Sequence, residues 1–102
     1  MKIEPACYAV IFSSQLKSAD DKGYAQMAAK MEELARQQPG FVGIESVRSA
    51  TGQGITVSYW QTLESISEWK KNTQHLEAQN LGQNKWYANY SVKIAKIERS
   101  ST

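Results

Sequence analysis

The stretch from residue 39 to residue 60 constrains the fold more than any other part of the chain. It reads Pro39-Gly40, then Phe41-Val42-Gly43-Ile44-Glu45-Ser46-Val47-Arg48, then a loop holding Gly52 and Gly54, then Ile55-Thr56-Val57-Ser58-Tyr59-Trp60. Pro-Gly ends a preceding helix. Phe41 to Arg48 and Ile55 to Trp60 are rich in β-branched and aromatic residues and read as strands. A short glycine-bearing loop between them makes a hairpin, so the two strands run antiparallel. Ile55, Val57 and Tyr59 share one face, and Thr56, Ser58 and Trp60 share the other. No helix follows the loop glycines, which argues against a phosphate-binding turn.

The flanks complete the pattern. Ala6 to Ser14 reads as a strand whose two faces both look apolar until Ser13, as expected for a central strand. Ser18-Ala19-Asp20-Asp21 has the look of a capping box. Tyr24, Met27, Ala28, Met31, Leu34 and Ala35 then recur at helical spacing. Thr62 can cap a second helix, with Leu63, Ile66, Trp69, Thr73 and Leu76 as its buried stripe and an end near Asn80-Leu81-Gly82. Trp86 to Ile97 is the last strand, with Ala88, Tyr90, Val92 and Ile94 on one face and Asn89, Ser91 and Lys93 on the other. The order βαββαβ predicts an α+β sandwich with an antiparallel sheet. Its helices cover one sheet face, and the other needs a second chain to remove apolar surface from water.

The 102 residues fit one domain, spanning 1–102. Twelve Lys and Arg against ten Asp and Glu leave a net charge of +2, too small an excess to attract nucleic acid or an anionic membrane. Cys7 is the only cysteine, so no intrachain disulfide forms, which suits a reducing compartment. The apolar run Ala6 to Phe12 is short, contains Tyr8 and follows Glu4 and Pro5, so it reads as a strand and not a signal peptide. No run approaches the ~20 apolar residues that span a bilayer. A soluble cytoplasmic protein is expected. No spaced Cys/His/Asp/Glu cluster predicts a metal site, and no nucleophile elbow supports a hydrolase.

His75 is the only histidine, and on a helix it shares one flank with Asn72 and Gln79. It titrates near neutrality and is suited to accept a proton from a phenolic substrate, which Asn72 and Gln79 would orient. The plainer alternative is a helix-end histidine that bonds a carbonyl or faces water. Trp60 and Trp69, with Phe12, are suited to wall a pocket for a flat aromatic ring. The alternative is that tryptophans serve as core or dimer anchors, the role favoured for Trp86 and Tyr87. Glu45 sits among apolar neighbours in a strand. It is a candidate base or substrate contact if buried, or an ion-pair partner of Arg48, Lys93 or Arg99.

Pro39 to Ser46, Trp60, the stretch from Trp69 to His75 and Trp86-Tyr87 together resemble the antibiotic biosynthesis monooxygenase family, over a span from about Tyr8 to Arg99. The resemblance implies a ferredoxin-like domain that pairs into a dimeric α+β barrel. It also implies oxygenation of a small quinol- or anthrone-like hydroxyaromatic by molecular oxygen, with no cofactor. The reaction would start with proton loss to His75 or a bound water, within a pocket walled by Trp60, Trp69 and Phe12. The family is functionally mixed, and a non-catalytic dimer that binds a small aromatic or acts as a stress-related accessory is the alternative. A haem-degrading branch pairs a helix tryptophan with an iron-ligating histidine ten positions on, and places an asparagine in the first strand. Trp69 matches, but Gln79 stands at the ligand position and Val10-Ile11-Phe12-Ser13-Ser14 holds no asparagine. Haem chemistry would need His75 as a displaced ligand.

Overall fold

A computed structural model describes residues 7–18, 22–79 and 87–101, with side chains in the second helix described as far as residue 72. The elements are β1 (Tyr8–Leu16), α1 (Lys22–Arg36), β2 (Phe41–Arg48), β3 (Gln53–Trp60), α2 (Leu63–Gln79) and β4 (Tyr87–Lys96). The four strands form one antiparallel sheet in the order β2-β3-β1-β4. This is the α+β, ferredoxin-like arrangement expected from the sequence, with β1 in the interior of the sheet.

Side-chain parity sorts the sheet into two faces. Tyr8, Val10, Phe12, Ser14 and Leu16 of β1 align with Trp60, Ser58, Thr56 and Gly54 of β3, and with Ile94, Val92, Tyr90 and Tyr87 of β4. The helices pack on this face in two groups. Leu16 and Met27 are buried together, flanked by Tyr24, Met31, Leu34 and Tyr87. Ala35, Trp60 and Ile66 are buried at the other end, flanked by Tyr8, Val10, Phe41 and Trp69. The stripe expected on α1 therefore packs as expected. Leu63, expected in the buried stripe of α2, is 49% exposed. It is the first residue of the helix, one turn short of where α2 meets the sheet.

The ladder outruns the hydrophobic pattern. β1 and β3 continue through Gln15 and Gln53-Gly54, because the backbone hydrogen bonds persist where the side chains turn polar, and Leu16 then returns to the core. The Ser18 to Asp21 cap lies mostly outside the described residues. The start of α2 is fully visible. The Ser65 amide donates to Thr62 Oγ1 at 3.0 Å, and the Thr62 amide donates to Ser65 Oγ at 3.3 Å. This is a reciprocal capping box with serine in the third position. Gly40 adopts φ +85°, and its carbonyl accepts the Gln61 amide at 2.8 Å. A Cβ there would also fall 2.7 Å from Ser65 Cβ.

Two substitutions test this junction. Thr62→Ala should destabilise the fold by about 1 kcal/mol through loss of the cap. Gly40→Ala should cost more, roughly 1–3 kcal/mol, because it adds left-handed backbone strain to a steric collision. Urea unfolding of both variants checks the order.

Candidate functional site

Trp60 is fully buried, at 0% exposure. Its indole N–H donates to Ser58 Oγ at 2.9 Å, so the polar atom is satisfied inside the core. Phe41 meets it edge-on at 5.5 Å, and Trp69 of α2 stacks on it at 6.0 Å with 27° between the planes. Trp60 therefore differs from its expected role as a pocket wall. It is a core residue that presents no surface to a ligand, and it acts by fixing Trp69, which remains half-buried.

Phe12 belongs to a second aromatic group, two side-chain rows further along β1. Tyr87 meets it edge-on at 5.3 Å, and Tyr90 lies tilted beside it at 5.7 Å. Tyr24 of α1 braces Tyr87 edge-on at 5.6 Å. On the same helix-facing side β4 offers Tyr90, Val92 and Ile94, 46%, 52% and 52% exposed. An edge strand normally faces the helices with covered apolar groups, so this open strip next to Phe12 stands out. Tyr90, Val92 and Ile94 were legible as one face of a strand, but not as a floor. Their exposure depends on where the helices stop, which periodicity does not encode.

His75 and Gln79 lie on the C-terminal half of α2, where the backbone is helical and the side chains fall outside the description. Trp86 lies outside the described residues altogether. Asn72 is exposed, and its Nδ2 donates to Gln38 Oε1 at 3.0 Å. It ties α2 to the turn after α1, whereas the sequence pointed to it as a substrate-orienting group.

Glu45 departs furthest from expectation. It is exposed and lies on the sheet face opposite the helices, aligned with Val57, so within one chain it shares no site with Phe12, Trp60 or Trp69. Nor does it pair with Arg48, whose side chain points to the other face. Arg48 Nη2 donates to Ser14 Oγ at 2.8 Å and to Tyr24 Oη at 3.1 Å, and Nη1 donates to the Gly52 carbonyl. The partner Glu45 does have is Tyr59, whose hydroxyl donates to its Oε1 at 3.4 Å. Burial, then the Glu45 charge and this hydrogen bond, push the Tyr59 phenol above its usual range.

Elsewhere, a shallow groove of about 440 Å³ lies at the start of α2, between Pro39, Gly40, Glu64 and Glu68. The helix-cap residues Thr62 and Ser65 also line it. Among the described residues, no group of three or more His, Cys, Asp or Glu is placed to hold a metal ion, and no helix is long and apolar enough to cross a membrane. Cys7 is buried and free.

Residues 7–81 match the sequence profile of the antibiotic biosynthesis monooxygenase family. The chain belongs to this family. It is 51% identical over 96 residues to the uncharacterized protein YqjZ of Bacillus subtilis, covering 94% of this chain and 83% of that protein. A conserved protein from Methanosarcina mazei superposes with a TM-score of 0.75 at 11% identity, covering 90% of this chain and 93% of the other. SnoaB, a cofactor-independent oxygenase from Streptomyces nogalater, superposes with a TM-score of 0.66 at 12% identity, covering 95% of this chain and 96% of its own. At such identities the likeness is one of fold.

The Tyr59–Glu45 contact has a measurable consequence. Glu45→Gln removes the Glu45 charge, the second cause of the raised phenol pKa, and leaves burial and an amide oxygen that still accepts the hydroxyl, so the Tyr59 titration should move down without returning fully to normal. Ultraviolet titration against a Tyr59→Phe reference isolates the signal. The raised value also means that Tyr59 holds its proton longer in the folded state than in the unfolded state. Its contribution to stability is complete below pH ~10 and is lost as pH rises through the folded value.

Proposed function

We propose that the protein is a cofactor-independent monooxygenase acting on a small quinol- or anthrone-like hydroxyaromatic, and that it works as a homodimer. The observation that carries this reading is the open aromatic floor of Phe12, Tyr90 and Val92 on the helix-facing side of the sheet. It lies on the same side as α2, the helix that bears Trp69 and His75. Membership of the monooxygenase family supports the reaction class, and the description of SnoaB as a cofactor-independent oxygenase supports the absence of a resident redox group. The substrate ring lies on Phe12 with Trp69 as a side wall, and Trp60 holds Trp69 in place from behind.

In this reading His75, or a water it positions, takes a proton from the activated C–H or O–H of the substrate, with Gln79 orienting the oxygen substituent. The resulting carbanion or phenolate supplies electrons to molecular oxygen. One oxygen atom enters the product as a carbonyl. The other leaves as water with the two hydrogens the substrate loses. Electrons and atoms balance between substrate and oxygen alone. The protein contributes alignment and a site from which water is displaced.

The test is oxygen uptake and product mass with metal-free protein and a panel of anthrones, quinols and catechols. Protein-dependent uptake, falling about 100-fold or more in His75→Ala, is the expected result for a general base. Turnover that survives replacement of both His75 and Trp69 would refute the site. No uptake, combined with saturable fluorescence quenching by the same compounds, would mark a non-catalytic binding protein. A Soret shift on haem titration would move the reading to haem.

A further inference from the structure

Between the two buried clusters, the helix-facing side of the sheet carries a row that is open at both ends. It runs Ser46, Thr56, Phe12 and Val92 from β2 to β4. Thr56 and Phe12 are half-buried, and Ser46 and Val92 are exposed. The row changes character at its middle. Its β1 and β4 half belongs to the aromatic floor. Its β2 and β3 half is a pair of hydroxyls, Ser46 Oγ and Thr56 Oγ1, 2.7 Å apart.

Two hydroxyls carry two protons, and the bond between them uses one. The other has no acceptor among the described residues, whichever hydroxyl donates within the pair. The flanking rows offer a ligand nothing comparable. On one side Ser14 is buried and its Oγ accepts from Arg48, whose guanidinium lies over Gly54. On the other side Ser58 is buried and its Oγ accepts from the Trp60 indole. Aligned residues on paired strands have Cβ atoms roughly 5 Å apart. A ring resting on Phe12 therefore holds an oxygen on its rim within hydrogen-bond range of Thr56.

We propose that the Ser46–Thr56 hydroxyl pair is the polar end of the substrate site, donating a hydrogen bond to the oxygen of a hydroxyaromatic whose ring lies on Phe12. The inference rests on the reading above for the place of the ring, and adds the group that grips its oxygen from the β2–β3 side. The pair selects a hydroxylated ring over its deoxy counterpart. An apolar edge set against it displaces water from the unused O–H without replacing the lost hydrogen bond. The same donor holds the negative charge that the oxygen gains once the substrate loses its proton.

Anaerobic equilibrium dialysis with 1-naphthol and with naphthalene tests this on wild type, Thr56→Val and Thr56→Ser. Wild type should bind 1-naphthol roughly threefold to tenfold more tightly than naphthalene, the value of one neutral hydrogen bond. Thr56→Val keeps the shape and removes the hydroxyl, so the preference should vanish while naphthalene binding stays within about twofold. Thr56→Ser keeps the hydroxyl and should restore the preference. A pair that only joins β2 to β3 would change the thermal midpoint and leave this ratio alone. A ratio that is the same in wild type and Thr56→Val, or no binding of either compound, would overturn the proposal. Quinol-dependent oxygen uptake in that case would leave the monooxygenase reading standing. A ratio that collapses in Thr56→Val and recovers in Thr56→Ser, with no uptake on any quinol, would keep the pair and overturn the monooxygenase reading.

Discussion

The buried indole of Trp60 is the contact on which the rest of the structure depends. It sits at the end of β3, where the sheet, the end of α1 and the first turns of α2 converge. Phe41 reaches it from β2, Ala35 from α1, Ile66 and Trp69 from α2, and Tyr8 and Val10 from β1. A ring of this size buries on the order of 200 Å² and dominates a small core. Its one polar atom would make that burial costly, and Ser58, two residues back on the same face, removes the cost. In a chain of 102 residues with little margin of stability, a node that joins five elements fixes the angle at which α2 leaves the sheet. That angle decides how much of β4 stays uncovered, and so the shape of the candidate site.

At the opposite end of the sheet, polar contacts join the Leu16–Met27 cluster. Arg48 spans the β2–β3 hairpin, β1 and α1 through Gly52, Ser14 and Tyr24, with its guanidinium 5.2 Å from the Tyr24 ring centre. Gly54 leaves room for it: a Cβ there would fall 2.5 Å from the guanidinium carbon. Tyr24 braces Tyr87, and Tyr87 braces Phe12. The hairpin and the aromatic floor are thus mechanically connected, although they are far apart in sequence. Arginine suits the place because its planar fork of donors serves several oxygens at once.

Much of this was legible in the chain itself. Strand parity has period two, so the faces of β3 and β4 followed from the alternation of Ile55, Val57, Tyr59 and of Tyr90, Val92, Ile94. The bounds of β2 followed from Pro39-Gly40 and the hairpin glycines. The same parity was enough to separate Glu45 from Arg48, three residues apart on one strand and so on opposite faces, yet charge alone had suggested pairing them. What the sequence did not carry was depth. Nothing in a run of aromatic residues distinguishes Trp60, sealed in the core, from Tyr90, half open, because burial depends on where two helices stop. The contact that Asn72 makes was hidden for a related reason. Its partner Gln38 lies 34 residues away in a turn whose position only the folded chain defines.

The two faces of this sheet have separable roles. Even-numbered positions of β1 build the core and the aromatic floor, and odd-numbered positions face outward with Tyr59, Val57 and Glu45. A substitution on one face leaves the other face's side chains untouched, because they alternate along a common backbone. The two faces nevertheless share β1 and β3, which contribute side chains to both at every row. If a partner covers the outer face, the sheet is held in its twist and its helix-side residues lose freedom. Covering the outer face therefore stiffens the floor on which a ring would lie, without any partner side chain entering the site.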